Sequence, residues 1–133
     1  MDSFTVATGS TDNMIDITGK VSDIVTASGM TSGLCTAFVP HTTCGITINE
    51  NADPAVKKDI LKELGKIVPR SDGYLHGEGN SAAHIKTLMT GNSVTVIVES
   101  GKLVLGTWQG IYLCEFDGPR TRKIYVQTVS KLI

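Results

Sequence analysis

Apolar residues fall at every second position in Val94, Val96 and Val98, with Thr95, Ile97 and Glu99 on the opposite parity. A period of two belongs to extended backbone with one face turned inward. The segment "ESGK" that follows predicts a hairpin turn. From Thr107 to Phe116 the pattern changes, and both parities become largely apolar. Trp108, Tyr112, Cys114 and Phe116 share one face, and Ile111 and Leu113 the other. That predicts a central strand covered on both sides. "DGPR" reads as another turn, and Lys123 to Val129 as a last strand. In the first half, Phe4–Thr8, Met14–Ile17, Leu34–Val39 and Ile46–Asn49 read as further strands, the first two split by "GSTDN".

Helical spacing appears in three places. Val21, Ile24 and Val25 share a face between Thr18, an expected N-cap, and Gly29, an expected stop. Asp53-Pro54 is a strong helix start, an acceptor at the cap and proline at the first helical position. Val56, Ile60, Leu61, Leu64 and Ile67 follow as one stripe, ended by Pro69. Ser81 is expected to cap a short helix beginning at Ala82. Strands outnumber helices and follow one another through short turns, without a βαβα rhythm. The expectation is a single α+β domain over residues 1–133: a mostly antiparallel sheet, sandwich-like or barrel-like, with two or three packed helices.

Composition narrows the class of function. The chain has 133 residues, 41% hydrophobic, and a formal net charge of −1. That length supports a core without disulfides. The near-neutral charge gives no field that would draw nucleic acid or an anionic membrane, and no basic patch or aromatic ladder appears. The apolar runs are far shorter than the ~20 residues of a membrane-spanning helix. Three cysteines, Cys35, Cys44 and Cys114, form no close pair, which argues for a reducing compartment. The opening "MDSFTVATGSTD" lacks the basic start and apolar stretch of a targeting peptide. A soluble cytoplasmic protein is expected.

The candidate chemistry centres on histidine, of which there are only three. His41 follows Val39-Pro40 and opens a run of threonines. His76 and His84 lie in "YLHGEGNSAAHIKTLM". A continuous strand would hold those two about 26 Å apart, and one helix about 12 Å. The intervening "GEGN" sustains neither element, so a loop can fold His76 back toward His84 in the first helical turn. The positive end of that helix would attract an anion. A lone histidine is more often a hydrogen-bonded framework residue than a ligand. All three of these lie in polar Gly/Asn/Thr-rich sequence, where sites concentrate. Three imidazoles with one open position is the catalytic zinc pattern, although the spacing matches no short zinc motif.

Other residues would serve a charged ligand. Glu50 follows an apolar strand and would act as a base or orient an imidazole. Asn51 and Asp53 lie beside it, with Asp53 also the expected helix cap. Glu78 and Asn80 stand between His76 and His84. Arg120, after a turn, would hold phosphate or carboxylate bidentately or simply be solvated. Trp108 and Gln109 open a strand, where Trp108 would be core or line a pocket for an aromatic ring. Cys44 begins the apolar run "CGITI" and reads as packing rather than as a nucleophile.

Taken together, "PHTTCGITINENADP", "YLHGEGNSAAHIKTLMTGNSVTV" and "GKLVLGTWQGIYLCEFDGPR" resemble the YjbQ-type family, over nearly the whole chain and in the family's order. The resemblance implies a compact strand-rich α+β fold, a homotrimer, and a metal pocket built from the motif histidines, here His41, His76 and His84. The ion implied is divalent, zinc by its imidazole ligands with magnesium as the alternative. Glu50, Asn51 and Asp53 match the family's acidic-amide block, and Trp108, Gln109 and Arg120 its late motifs. The implied activity is that of a secondary thiamine-phosphate synthase. It joins a pyrimidine-methyl diphosphate to a thiazole phosphate and releases pyrophosphate. Glu50 and Arg120 would be catalytic, and Asn51, Asp53, Trp108 and Gln109 would bind substrate. Two rival readings are a metal-dependent hydrolase or lyase and a trimeric binding protein without turnover.

Overall fold

The computed structural model describes residues 1–131. In chain order the elements are β1 (Asp2–Ala7), β2 (Asn13–Asp16), α1 (Thr18–Ser28), β3 (Gly33–Phe38), β4 (Cys44–Glu50), α2 (Pro54–Ile67), α3 (Ser81–Thr90), β5 (Ser93–Glu99), β6 (Lys102–Leu103), β7 (Gln109–Glu115) and β8 (Thr121–Ser130). The strands form two antiparallel sheets, one of five strands in the order β1-β8-β3-β5-β6 and one of three in the order β2-β7-β4. The fold is α+β, as the pattern predicts.

Parity explains how the layers close. The main core lies between the sheets and takes Cys35, Ala37, Val96, Val98, Ile124 and Val126 from the larger one, and Ile46, Ile111 and Leu113 from the smaller. Val21 and Val25 of α1 complete it. The opposite parity of β7 supplies Tyr112 and Cys114 to a second cluster with Met14, Ala83 and Phe116, against which Ile60, Leu61 and Leu64 of α2 pack. β7 is therefore covered on both faces. Each fully buried aliphatic side chain there stabilises the fold by about 1.5–3 kcal/mol.

Three local expectations shift. Ile17, not Thr18, takes the N-cap position of α1. The Thr18 hydroxyl instead donates to Asp16 Oδ1 at 2.6 Å and accepts the Ile111 N–H at 2.8 Å, tying helix to sheet. The helix ends at Gly29 in the left-handed region (φ 69°), as predicted. At α3 the cap position is Asn80 rather than Ser81, and it makes no side-chain capping bond, its amide being drawn to Asp117 (2.9 Å). Finally, β7 begins at Gln109. A tight turn precedes it, in which Gly106 N–H donates to Gln109 Oε1 at 2.8 Å. The turn leaves Trp108 63% exposed, off the apolar face the alternation assigned it to.

Candidate functional site

The loop between β3 and β4, the loop before α3 and the turn into β8 meet at one end of the sandwich. There they line a cleft of roughly 430 Å³ with His41, His76, His84, Arg120 and Arg122 among its walls. Each side chain is held by a different device. His84 sits on the first turn of α3. That helix is pinned to β4 where Ile46 N–H donates to Gly91 O at 3.1 Å. Gly45 permits the approach, since a Cβ there would collide with Thr90. The same helix is anchored by Lys86, whose Nζ reaches Asp12 at 2.8 Å and lies over the Phe116 ring. His76 is brought back by a turn closed by Gly79 N–H donating to His76 O at 3.2 Å. The rings of His76 and His84 meet edge to face, with centroids 5.5 Å apart.

His41 behaves differently. Its Nε2 accepts the Lys123 N–H at 2.9 Å. An imidazole nitrogen that accepts a hydrogen bond has its lone pair engaged, so the ring is neutral and carries its proton on Nδ1. Burial, and the Arg122 guanidinium nearby, hold its pKa below the ordinary histidine value. His41 is therefore a hydrogen-bond donor toward its surroundings, not a free ligand nitrogen. Among the described residues no three His, Cys, Asp or Glu side chains are grouped to hold a metal ion. The three histidines converge on one cleft, but only His76 and His84 stand as a ring pair.

Beneath the cleft lies a buried ion pair that the sequence reading did not single out. Arg122 of β8 is 4% exposed and Glu115 of β7 is 0% exposed. Arg122 Nε donates to Glu115 Oε1 at 2.8 Å, and Nη2 donates to Glu115 Oε2. Nη2 also reaches Thr43 Oγ1 at 2.9 Å and Thr43 O at 3.2 Å, which fixes the residues just after His41. Burial alone would raise the Glu115 carboxyl. Arg122, the Thr8 hydroxyl (2.7 Å) and the Asp117 N–H (3.0 Å) more than offset it and keep its pKa below the ordinary glutamate value. A signal existed in the pattern: Glu115 shares parity with buried Ile111 and Leu113, and Arg122 with buried Ile124 and Val126. A charge at a core-facing position needs a buried partner.

Asp117 forms a second hub. It accepts from Arg120 Nη2 (3.1 Å), Arg70 Nη2 (3.3 Å) and Asn80 Nδ2 (2.9 Å). Both arginines of the cleft are thus backed by carboxylates set behind them, while Glu78 stands at the wall beside the histidines.

The remaining predicted residues lie elsewhere. β4 pairs with β7 so that Cys44 opposes Glu115 and Glu50 opposes Gln109. The six intervening steps span about 20 Å. Glu50, Asn51, Asp53, Trp108 and Gln109 therefore gather at the far end from the histidines. Asp53 caps α2 by accepting Ala55 N–H at 2.9 Å. Asn51 donates to Asp16 Oδ2 at 3.3 Å. Gln109 is spent on its turn. Cys44 is 0% exposed, and burial pushes its thiol up to about 12, so it packs and is no nucleophile at neutral pH.

The model of the family described as "UPF0047 protein YjbQ-like" matches residues 2–131. The UPF0047 protein YugU of Bacillus subtilis is 52% identical over 126 residues, covering 94% of this chain and 96% of that one. A UPF0047 protein of Methanocaldococcus jannaschii is 46% identical, covering 96% and 92%. Among solved structures, an uncharacterised conserved protein of this family from Clostridium acetobutylicum superposes with a TM-score of 0.96 at 52% identity, covering 97% of this chain and 100% of that one. A YbjQ-like protein of unknown function from Sulfolobus solfataricus gives 0.94 at 36%, covering 98% and 96%.

Proposed function

The chain belongs to the YjbQ-like UPF0047 family, and we propose that its histidine–arginine cleft binds a small phosphorylated substrate and catalyses transfer with loss of pyrophosphate. The reaction would join a pyrimidine-methyl diphosphate to a thiazole phosphate to give thiamine phosphate. The observation that carries the reading is the convergence of three imidazoles and two guanidinium groups, at the N-terminal turn of α3, on a cleft of ligand size. Departure of pyrophosphate builds negative charge on the leaving oxygens. Donors fixed in advance around that point lower the barrier. Arg120 is held at the cleft by Asp117, and His41 offers its Nδ1 proton. His84, on the first turn of the helix, would protonate or orient the leaving group.

A divalent ion, zinc or magnesium, belongs to this proposal only in a reduced form. His76 and His84 would hold it, and it would neutralise phosphate charge. Metal analysis of protein purified without a histidine tag decides that point. Homotrimer formation is proposed on separate grounds. Val129, Leu34 and Ile97 form one cross-strand row on the outer face of the larger sheet, 60%, 47% and 58% exposed. Such a row is apolar area that one chain leaves uncovered. Glu50, Asn51, Asp53, Trp108 and Gln109 would then act on substrate only as residues of a neighbouring subunit. Light scattering that returns a monomer mass at micromolar concentration removes the trimer. No helix among the described residues is long and apolar enough to cross a membrane.

The test of the reaction is formation of thiamine phosphate from the two half-molecules, with each divalent ion in turn. Wild-type protein that turns over with none of them overturns the transferase. Turnover that survives His84→Ala but not Cys44→Ser replaces the cleft chemistry with a thiol mechanism.

A further inference from the structure

Arginine has five N–H donors in a rigid planar fork. In Arg122 the Nε and Nη2 sides of that fork are fully directed, toward Glu115 and Thr43. Nη1 makes no hydrogen bond among the described residues, yet it is not one of the buried side-chain atoms sealed off without a partner. The side chain is 5% exposed and lines the cleft. The one edge left without a partner in an otherwise immobilised guanidinium thus belongs to a side chain that lines the cleft. Glu115 lies behind it, 0% exposed, so it orients the fork without reaching the ligand. Arg120 is the contrary case. Its side chain is 52% exposed, and its Nε and Nη2 are bound to Asp117, three residues away in the same turn.

We infer that Arg122, through Nη1, is the residue that seats a phosphate or diphosphate oxygen at the floor of the cleft, and that Arg120 is an auxiliary contact at its rim. This rests on the reading of the cleft as an anion site. The physical ground is reorganisation. A fork fixed by a buried carboxylate and Thr43 gives up little side-chain freedom when it binds, whereas the contacts that hold Arg120 to Asp117 lie in solvent, where such pairs are weak and constrain the side chain less. The fork also accounts for the buried pair itself. Replacing such a pair by apolar residues is often neutral or stabilising, so an ion pair placed under a cleft with one donor edge left open serves the ligand rather than the core.

The experiment uses the full chain and inorganic pyrophosphate. Of the three arginines, Arg70, Arg120 and Arg122, only Arg122 is buried, so its guanidinium gives the slowly exchanging side-chain signal in nitrogen NMR. Pyrophosphate is expected to shift that signal with the same midpoint that calorimetry gives for binding. Arg122→Lys is expected to weaken binding by at least about tenfold, the loss of one charge-assisted contact. Arg120→Gln should weaken it by no more than about threefold. Pyrophosphate binding that leaves the Arg122 signal unmoved overturns the inference, even if Arg122→Lys fails to fold. So does a folded Arg122→Lys that binds as wild type does. Wild-type protein that binds no pyrophosphate removes the anion reading of the cleft and this inference with it. Binding through Arg122 without turnover removes the transferase alone.

Discussion

The two ends of the β4–β7 ladder carry comparable sets of polar residues and use them in opposite ways. At the far end four of these side chains are engaged by the framework. Asp16 holds the start of α1 and Asn51, Asp53 holds α2, and Gln109 closes a turn. At the cleft end, buried groups such as Glu115 and Thr43 are spent on positioning others, and the groups they position keep a donor edge open. A polar residue in a loop is thus no sign of a site. What marks the site is a polar group whose orientation is fixed by buried partners while part of its hydrogen-bonding capacity stays open.

The largest expected effect comes from breaking the support at the cleft end. Glu115→Ala would leave Arg122 buried without its partner and cost about 3–5 kcal/mol of stability, read as the shift in a denaturant midpoint. A midpoint within about 1 kcal/mol of wild type would show that the pair is not the support described. The same pair sets an acid limit. The folded Glu115 pKa lies below its ordinary value of 4.5, so its contribution is fully present above that value and lost as the pH falls through the lower folded value. In Glu115→Gln that part of the acid-side slope should be absent, and a slope equal to that of wild type would assign it to other carboxylates.

Next in size is the chemistry. His84→Ala should lower turnover by about a hundredfold, the ordinary value of a general acid or base, with the fold kept. Full activity in that variant would separate the cleft from the reaction. A smaller effect is expected at the far end, where Asp53→Ala should cost about 1 kcal/mol through the lost cap and leave pyrophosphate binding unchanged in a monomeric state. Weakened binding that appears only in the oligomer would show that this end reaches a neighbour's cleft. The smallest effect is that of Trp108→Ala on stability, within about 0.5 kcal/mol, because the side chain is exposed within one chain. A larger loss that depends on protein concentration would mean that the tryptophan is covered by assembly.

Much of this molecule is written in short-range pattern. The double-sided apolar run of β7, the alternation in β5 and the Asp53-Pro54 start of α2 each appear where the spacing predicts them, to within a residue or two. Such features depend on neighbours a few positions away, through backbone period and local capping. The site does not. His41 meets Lys123 across 82 positions, and Arg122 meets Thr43 across 79, contacts that exist because β3 pairs with β8 and the loop after β3 crosses to β4 in the other sheet. Sequence identified the three histidines and Arg120 by residue type. It also grouped Glu50, Asn51 and Trp108 with them, because adjacency along a chain carries no account of the ~20 Å that a strand places between its ends. The parity of Glu115 and Arg122 was legible as two buried charges. Only the stacking of the sheets decided that each was the other's partner, since the cost of burying a charge is relieved by whichever opposite charge the tertiary fold brings within hydrogen-bonding reach.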